Sequence, residues 1–355
     1  MRTGVATLDD ARAIEAADPG GMLRLVASTG SQLGRGHALG TAIQGVPDAD
    51  TDAVVVLGMG GSGIAGDVIR ALYADVVAVP IVTSKGYAIP AFCGPRTLVL
   101  SASFSGETEE TLAATRGAAA LGCRVISLSA GGALAKLAAE EGRPHVAIPA
   151  DAVVPRAALG YLVGACIGVL EAAGTIPAAG EEVAQAATFA AWFAAGLAPE
   201  RPMEDNQAKT AASWIHGRTP VIWGSEGLAE AAALRWKAQL NENAKVPAFH
   251  ATLSELDHND VEGWSDGSGA GFVAIVLRHA DEHPRIAARV GITRALVGAA
   301  GLEVNEVRAS GASKLQRLLS LVLLGDFASV YLAILRGVDP TPVPVLSELK
   351  ERLRT

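Results

Sequence analysis

Aromatic side chains are scarce in this sequence, at 5% of 355 residues, although half of the residues are hydrophobic. Alanine, valine, leucine and glycine must therefore supply most of the core. Small aliphatic side chains suit helices that pack closely on a parallel sheet. Because the chain is also too long for one ordinary core, we expect two domains.

The sequence has no cluster of basic residues, and its formal net charge is −8. Proteins that bind nucleic acid hold its phosphates with clustered lysine and arginine, so we expect no nucleic-acid partner. A small anion is not excluded, because backbone N–H groups at a helix N-terminus can hold one phosphate without net positive charge.

Metal-binding patterns are also missing. The three cysteines, Cys93, Cys123 and Cys166, match no zinc spacing, and no histidine and carboxylate cluster has a convincing one. We therefore expect neither a metal nor a cofactor.

Signal and membrane segments are not apparent either. Met1 to Val5 has no apolar signal core, which predicts a cytoplasmic protein. The most apolar stretch, Leu315 to Leu335, includes Arg317 and Asp326 and falls short of the ~20 clean residues of a membrane helix. We therefore expect no membrane partner.

Apolar runs alternate with helical patterns along both halves of the chain, which predicts doubly wound parallel sheets covered by helices. After a short helix from Asp9 to Ala17, the sequence suggests a polar, glycine-rich connection. The predicted strands are Ala53–Leu57, Val79–Val82, Thr97–Ser101, Arg124–Leu128, His145–Ile148, Thr219–Trp223, Phe272–Leu277 and Glu303–Val307. Breaks near Asp151–Arg156 and Ala198–Pro202 divide the chain into domains 1–155 and 203–355, joined by a helical connection, 156–202.

A glycine-rich turn, Gly58-Met59-Gly60-Gly61-Ser62-Gly63, follows the first strand and opens a helix. It fits three functions: a dinucleotide site, a purely structural turn, or a phosphate cradle. A dinucleotide site calls for a carboxylate after the next strand, and Val82-Thr83-Ser84-Lys85 has none. A cradle would use the Ser62 hydroxyl and the backbone N–H groups of Gly60 and Gly61.

A second polar turn, Ser101 to Thr108, again lies between a strand and a helix. Its hydroxyls, Ser103, Ser105 and Thr108, exceed what one helix cap needs. Since both turns lie at the carboxyl edge of the predicted sheet, we expect them to converge on one anion. The pair resembles the sugar isomerase (SIS) domain, which binds phosphosugars.

Polar residues are densest from Asn241 to Lys245 and from Leu256 to Asp260. A carboxylate such as Glu242 suits proton transfer between C1 and C2 of a sugar through a cis-enediol. A histidine such as His258 suits ring opening near neutral pH. Taken alone, Glu242 would more often be a solvated carboxylate at a helix end, and His258 would more often be structural or exposed.

Four motifs together resemble the bifunctional phosphoglucose/phosphomannose isomerase family across nearly the whole chain. They are Gly58–Ile64, Ser103–Thr111, Asn241–Lys245 with Leu256–Asn259 and Gly263–Trp264, and Arg336–Pro342 followed by Leu349–Lys350.

The resemblance implies a role for individual residues. Glu242 would be the general base, and His258 would open the ring from the partner subunit of a homodimer with shared active sites. Lys350 would lie near the ring oxygen, and Arg156 would stabilise the enediolate. The implied phosphate contacts are Gly60, Gly61, Ser62, Ser103, Ser105 and Thr108.

Some positions match the family only approximately or depart from it. Thr341 is the nearest candidate for the threonine linked to acceptance of both C2 epimers. Asp257 and Asp260 replace the usual asparagine and glutamate around His258, which could change its orientation or pKa. Glu107 stands where many relatives have asparagine, so we expect it to face the helix N-terminus or solvent.

The sequence thus predicts an isomerase that interconverts fructose 6-phosphate with glucose 6-phosphate and mannose 6-phosphate. Two alternatives stay open. One is a phosphosugar-binding SIS regulatory protein without catalysis, and the other is a nicotinamide-dependent enzyme.

Overall fold

A computed structural model describes residues 8–46, 50–151 and 154–353. Met1 to Val5, from which we inferred the lack of a signal core, and Ala152 and Val153 of the predicted break lie outside the described residues.

The described residues form two parallel sheets and surrounding helices. The strands are β1 Ala53–Leu57, β2 Ile81–Ser84, β3 Thr97–Ala102, β4 Arg124–Ser129, β5 His145–Ala147, β6 Thr219–Gly224, β7 Phe249–Thr252, β8 Phe272–Arg278 and β9 Glu303–Arg308. The α-helices are α1 Ala11–Ala17, α2 Met22–Ala27, α3 Thr29–Thr41, α4 Gly60–Tyr73, α5 Glu109–Ala120, α6 Gly132–Glu140, α7 Leu159–Ala172, α8 Gly180–Gly196, α9 Gln207–Ile215, α10 Leu228–Glu242, α11 Leu253–Leu256, α12 Pro284–Ala299, α13 Lys314–Leu335 and α14 Pro344–Arg352. Short 3₁₀ helices cover Pro155–Ala157, Met203–Asp205 and Asp260–Trp264.

Both sheets are doubly wound, which confirms the predicted fold class. The first has the order β2-β1-β3-β4-β5 and the second β7-β6-β8-β9. From β1 the chain moves outward to β2 and then crosses to β3 on the other side of β1. A crevice opens where the winding reverses, between the carboxyl ends of β1 and β3, and ligands bind there in this class of sheet.

The strand predictions hold with small shifts, except for one missed strand. β2 begins two residues later than predicted, at Ile81. β7, Phe249–Thr252, was missed because it is a short edge strand with no fully buried residue, so its sequence lacks an apolar run.

The predicted glycine-rich connection after Ala17 is wrong, since α2 and α3 lie there. Two glycines of α3, Gly36 and Gly40, lie four residues apart and face a matching row of glycines on α7, Gly160, Gly164 and Gly168. A Cβ at Gly36 would lie 2.3 Å from the Tyr161 carbonyl oxygen, and one at Gly164 would lie 2.2 Å from that of Leu33. The glycines therefore serve a backbone-to-backbone contact between two helices, not a loop.

α13 is a core helix. Its length and apolar composition would allow it to cross a membrane, but 94% of its most apolar window is buried inside the protein. Asp326, in the middle of this helix, pairs with Arg235 of α10 through bonds of 2.8 and 2.9 Å. A buried carboxylate needs such a partner.

Candidate active site

The glycine-rich turn connects β1 to α4 at the crevice of the first sheet. Gly60 has a φ of +51°, a backbone conformation that glycine adopts at little cost. The Ser62 hydroxyl accepts a hydrogen bond of 3.2 Å from the Phe104 N–H. This bond joins the first turn to the second across the crevice.

The second turn connects β3 to α5 on the other side of the crevice. The hydroxyls of Ser103 and Thr108 lie 2.9 Å apart, and Ser103 is buried. Ser105 is exposed, and its hydroxyl accepts the N–H of Glu107 at 3.3 Å. Thr108 is the N-cap of α5, but its side chain makes no capping bond, which leaves it directed at Ser103. The two turns thus place hydroxyls and two helix N-termini around one space that suits an anion.

Glu107 turns away from this space. Its carboxylate accepts a hydrogen bond of 2.8 Å from the N–H of Ala133, in the first turn of α6. It therefore faces a helix N-terminus, but that of α6 and not that of α5. A carboxylate at this helix end is electrostatically favourable, and its charge is held away from a bound phosphate.

Arg156 lies directly beside the glycine-rich turn. A Cβ at Gly61 would lie 3.1 Å from the Arg156 Cα, so only glycine allows this approach without a shift. The Arg156 side chain is 4% exposed. It donates hydrogen bonds to Asn243 Oδ1 at 2.7 Å and to the carbonyls of Pro340 at 2.8 Å and Thr341 at 2.7 Å.

Glu242, the last residue of α10, approaches Arg156 from the second half of the chain. Arg156 Nη1 lies 3.8 Å from Glu242 Oε2, and the Glu242 side chain remains 25% exposed. Burial lowers the pKa of Arg156, and the charge of Glu242 acts in the opposite direction. The pair therefore sets a partly exposed carboxylate beside a buried guanidinium.

Thr341 belongs to the same cluster through its backbone and side chain. Its carbonyl accepts Arg156, whereas its buried hydroxyl has no hydrogen-bond partner in the described part of the chain. A Cβ at Gly20 would lie 2.1 Å from Thr341 Oγ1, so Gly20 is required for this packing. Sequence reasoning missed Gly20, because only the fold brings it beside Thr341.

Two further cluster members were missed although they lie within three residues of Glu242 in sequence. Asn243 is fully buried. Its Nδ2 donates a hydrogen bond of 2.9 Å to the Ser329 hydroxyl, and its Oδ1 accepts a hydrogen bond from Arg156. Lys245 has a φ of +57° and donates to the Glu242 carbonyl at 2.5 Å. The dense polar run was the signal, but sequence reasoning gave a role only to its carboxylate.

The buried pair of Arg235 and Asp326 holds the backbone of Arg156 from beneath. Arg235 Nη2 donates to the Arg156 carbonyl at 2.6 Å. Within the apolar stretch of α13, the single carboxylate of Asp326 could have signalled such a pair.

His258 lies far from Glu242 within one chain. It is exposed and lines a cavity together with Glu230, in the first turn of α10, and Thr252, at the end of β7. Glu242 is the last residue of the same helix, twelve residues further on. At a rise of 1.5 Å per residue, this places the two ends about 18 Å apart.

The remaining predicted residues are also outside the Arg156 cluster. Lys350 is exposed on α14, with no ion pair to Glu242 in the described residues. Asp257 turns toward α12, where its carboxylate accepts hydrogen bonds from the Arg289 guanidinium at 2.9 Å and the Thr293 hydroxyl at 2.7 Å. Asp257 therefore anchors the loop before His258, and Asp260 is exposed.

The described residues contain no group of three or more histidine, cysteine, aspartate or glutamate side chains arranged to hold a metal.

Comparisons with known proteins identify the family of this chain. A family profile described as the bacterial phospho-glucose isomerase C-terminal SIS domain matches residues 204–353. The bifunctional phosphoglucose/phosphomannose isomerase of Caldicellulosiruptor bescii is 35% identical over 94% of this chain and 98% of its own length. The enzyme of the same name from Aquifex aeolicus is 33% identical over 85% of this chain and 90% of its own length.

Among solved structures, a hypothetical protein from Thermus thermophilus shares the fold, with a TM-score of 0.75 at 18% identity. The match covers 98% of this chain and 94% of that protein. The two curated relatives carry the family assignment, because their identity extends over most of both chains. The chain belongs to the bifunctional phosphoglucose/phosphomannose isomerase family.

Proposed function

We propose that this protein is an aldose–ketose isomerase that interconverts fructose 6-phosphate with glucose 6-phosphate and mannose 6-phosphate. The observation that carries the proposal is the pairing of Arg156 with Glu242. The backbone of Arg156 packs directly on the glycine-rich turn. The names of the relatives from Caldicellulosiruptor bescii and Aquifex aeolicus support it.

The phosphate would be held by Gly60, Gly61, Ser62, Ser103, Ser105 and Thr108. Helix N-termini favour a dianion there, and the hydroxyls fix its orientation. Since the phosphate is on C6 and the reaction takes place at C1 and C2, this end of the substrate is a remote binding handle. Its binding energy would position the reacting carbons beside Glu242.

The chemical step would be proton transfer by Glu242. The carboxylate removes the proton from C2 of the aldose and returns it to C1, and the reverse path starts at C1 of the ketose. Negative charge develops on the enediolate oxygens in between. Arg156 is buried and held by fixed partners, so it can stabilise that charge without rearrangement.

Ring opening would need the partner subunit. Because His258 lines a cavity with Glu230, whose end of α10 is about 18 Å from the end that carries Glu242, we propose a homodimer in which His258 of the partner subunit serves each site. Lys350 would act at the ring oxygen, and Thr341 would contact C2 epimers. We also propose that the enzyme works in the cytoplasm, in line with the metabolic activity named for its relatives.

The alternative, a phosphosugar-binding regulatory protein, would need the two serine-bearing turns but not the acid–base groups. A buried arginine kept next to a carboxylate is weak as a stability device, since ion pairs of this kind often give no net stabilisation. The position of this Arg156–Glu242 pair beside the glycine-rich turn therefore favours catalysis over binding alone.

A coupled assay with each hexose 6-phosphate tests the proposal. Fructose 6-phosphate should yield both glucose 6-phosphate and mannose 6-phosphate. Binding of fructose 6-phosphate by calorimetry without turnover of any substrate would favour the regulatory alternative.

A further inference from the structure

Lys245 has an unusual backbone for its residue type. Among the described residues it is the one non-glycine in the left-handed region, at φ +57°. It lies two residues after Asn243, the C-cap of α10, where glycine or asparagine would accept this conformation more readily. A lysine at such a position indicates that its side chain makes interactions that a glycine would lose.

The ammonium of Lys245 joins two separate parts of the active site. Its Nζ donates to the carbonyls of Glu242 at 2.5 Å and Asn243 at 3.3 Å, which are unpaired acceptors of the last turn of α10. It also donates to the Pro340 carbonyl at 3.1 Å. Three carbonyls thus match the three N–H donors of one ammonium.

Pro340 is the point where Lys245 meets Arg156. The Pro340 carbonyl accepts Arg156 Nη2 at 2.8 Å as well as Lys245 Nζ. The carbonyl of the next residue, Thr341, also accepts a hydrogen bond from Arg156. The segment from Pro340 to Thr341 is therefore tied to the end of α10 by two cations, Lys245 and Arg156.

We propose that Lys245 is a positioning residue of the isomerase, which fixes Glu242 relative to the segment that carries Thr341 and leads to Lys350. Lys245 contacts backbone carbonyls and not the Glu242 carboxylate, so it would fix the position of the base without taking part in the proton transfer. This role rests on the proposed isomerase function. Burial, and next the charge of Arg156, lower the pKa of Lys245, whereas the charges of Asp339 and Glu242 act in the opposite direction.

Three substitutions of Lys245 distinguish the effect of its ammonium group from the effect of its left-handed backbone. Lys245→Gly removes the ammonium and relaxes the left-handed backbone, so we expect the fold to be retained. Lys245→Met keeps the length without charge, and Lys245→Arg keeps the charge. We expect kcat to fall at least about tenfold in the glycine and methionine variants, with KM within about threefold, and to recover in part in the arginine variant. Lys136→Met, an exposed lysine on α6, is the matched control and should leave kcat unchanged.

Hydrogen exchange of the peptide 338–343 gives a second measurement that does not depend on turnover. Loss of the ammonium should speed its exchange at least about fivefold in Lys245→Gly, while the β1 and β3 amides stay protected. Unchanged kcat in that variant, or unchanged exchange of the segment, would overturn the positioning role. If the wild-type protein turns over no hexose phosphate, the proposed function fails, and exchange alone then decides whether Lys245 ties the segment.

Discussion

Arg156 Nη1 lies 3.8 Å from Glu242 Oε2, although the two residues come from opposite halves of the chain. Arg156 follows the last strand of the first sheet, and Glu242 ends the first helix of the second sheet. The proposed active site therefore combines residues from both halves of the chain. In the proposed mechanism, the turns of the first sheet bind the phosphate, and a helix of the second sheet supplies the base.

Glu242→Gln should lower kcat by at least about 10²-fold and leave the Kd for fructose 6-phosphate within about threefold, because an amide of the same shape cannot accept the proton. Steady-state kinetics and calorimetry measure the two effects. Glu140→Gln, an exposed carboxylate on α6, is the control. Loss of fructose 6-phosphate binding along with activity would instead indicate a structural role for Glu242.

Ser105→Ala should raise KM for fructose 6-phosphate by about 10- to 100-fold, the cost of one hydrogen bond to a charged group. The kcat should change less than about threefold, because the phosphate is remote from the reacting carbons. Ser105 is exposed, so the folded state should not suffer. Ser31→Ala, another exposed serine, should change neither constant. An unchanged KM in Ser105→Ala would refute the phosphate contact.

Shared sites in a homodimer predict complementation between two inactive variants. Glu242→Gln and His258→Gln, each inactive alone, should regain about one quarter of wild-type activity after mixing and reassembly. Half of the dimers are then mixed, and each mixed dimer has one intact site. Mixed dimers seen by native mass spectrometry without recovered activity would show that His258 does not serve the partner's site.

Stability should fall on acidification. Burial lowers the pKa of His145 and His279 below the ordinary value of 6.5, so each binds a proton less readily in the folded state than in the unfolded chain. The unfolded chain then binds more protons below about pH 6.5, so these histidines contribute stability above that pH and lose it as the pH falls.

Chemical denaturation at about pH 7.5 and about pH 5.5 measures this loss. His145→Gln should make it smaller, whereas His216→Gln, at an exposed histidine, should leave it as in the wild type. A free energy of unfolding that is equal at both pH values would contradict the account.

The first sheet and its turns could be predicted from sequence because the signals are local. Apolar β-branched runs and glycine or serine turns identify β1 and β3 and place their turns at one sheet edge. The local pattern also gave one wrong prediction, a glycine-rich connection where α3 lies. Gly36 and Gly40 of that helix are explained only by the packing of α7 against them.

The Arg156 cluster could be predicted only in part. The family resemblance pointed to Glu242 and Arg156, but not to Asn243 or Lys245, which act through contacts with distant segments such as Pro340. Such contacts depend on the tertiary fold and leave no periodic trace in the sequence. The separation of His258 from Glu242 likewise follows from the length of α10 and its direction, which only the fold reveals.

The most direct test of the central claim, proton transfer by Glu242 at C1 and C2, is isomerisation of fructose 6-phosphate in D₂O followed by NMR. The account predicts that deuterium accumulates at C2 of glucose 6-phosphate and mannose 6-phosphate over many turnovers, because the proton held by Glu242 exchanges with solvent in a fraction of them, and that Glu242→Gln gives neither product nor label. No deuterium at C2 after many turnovers of the wild-type protein, or equal conversion by both proteins, would contradict it.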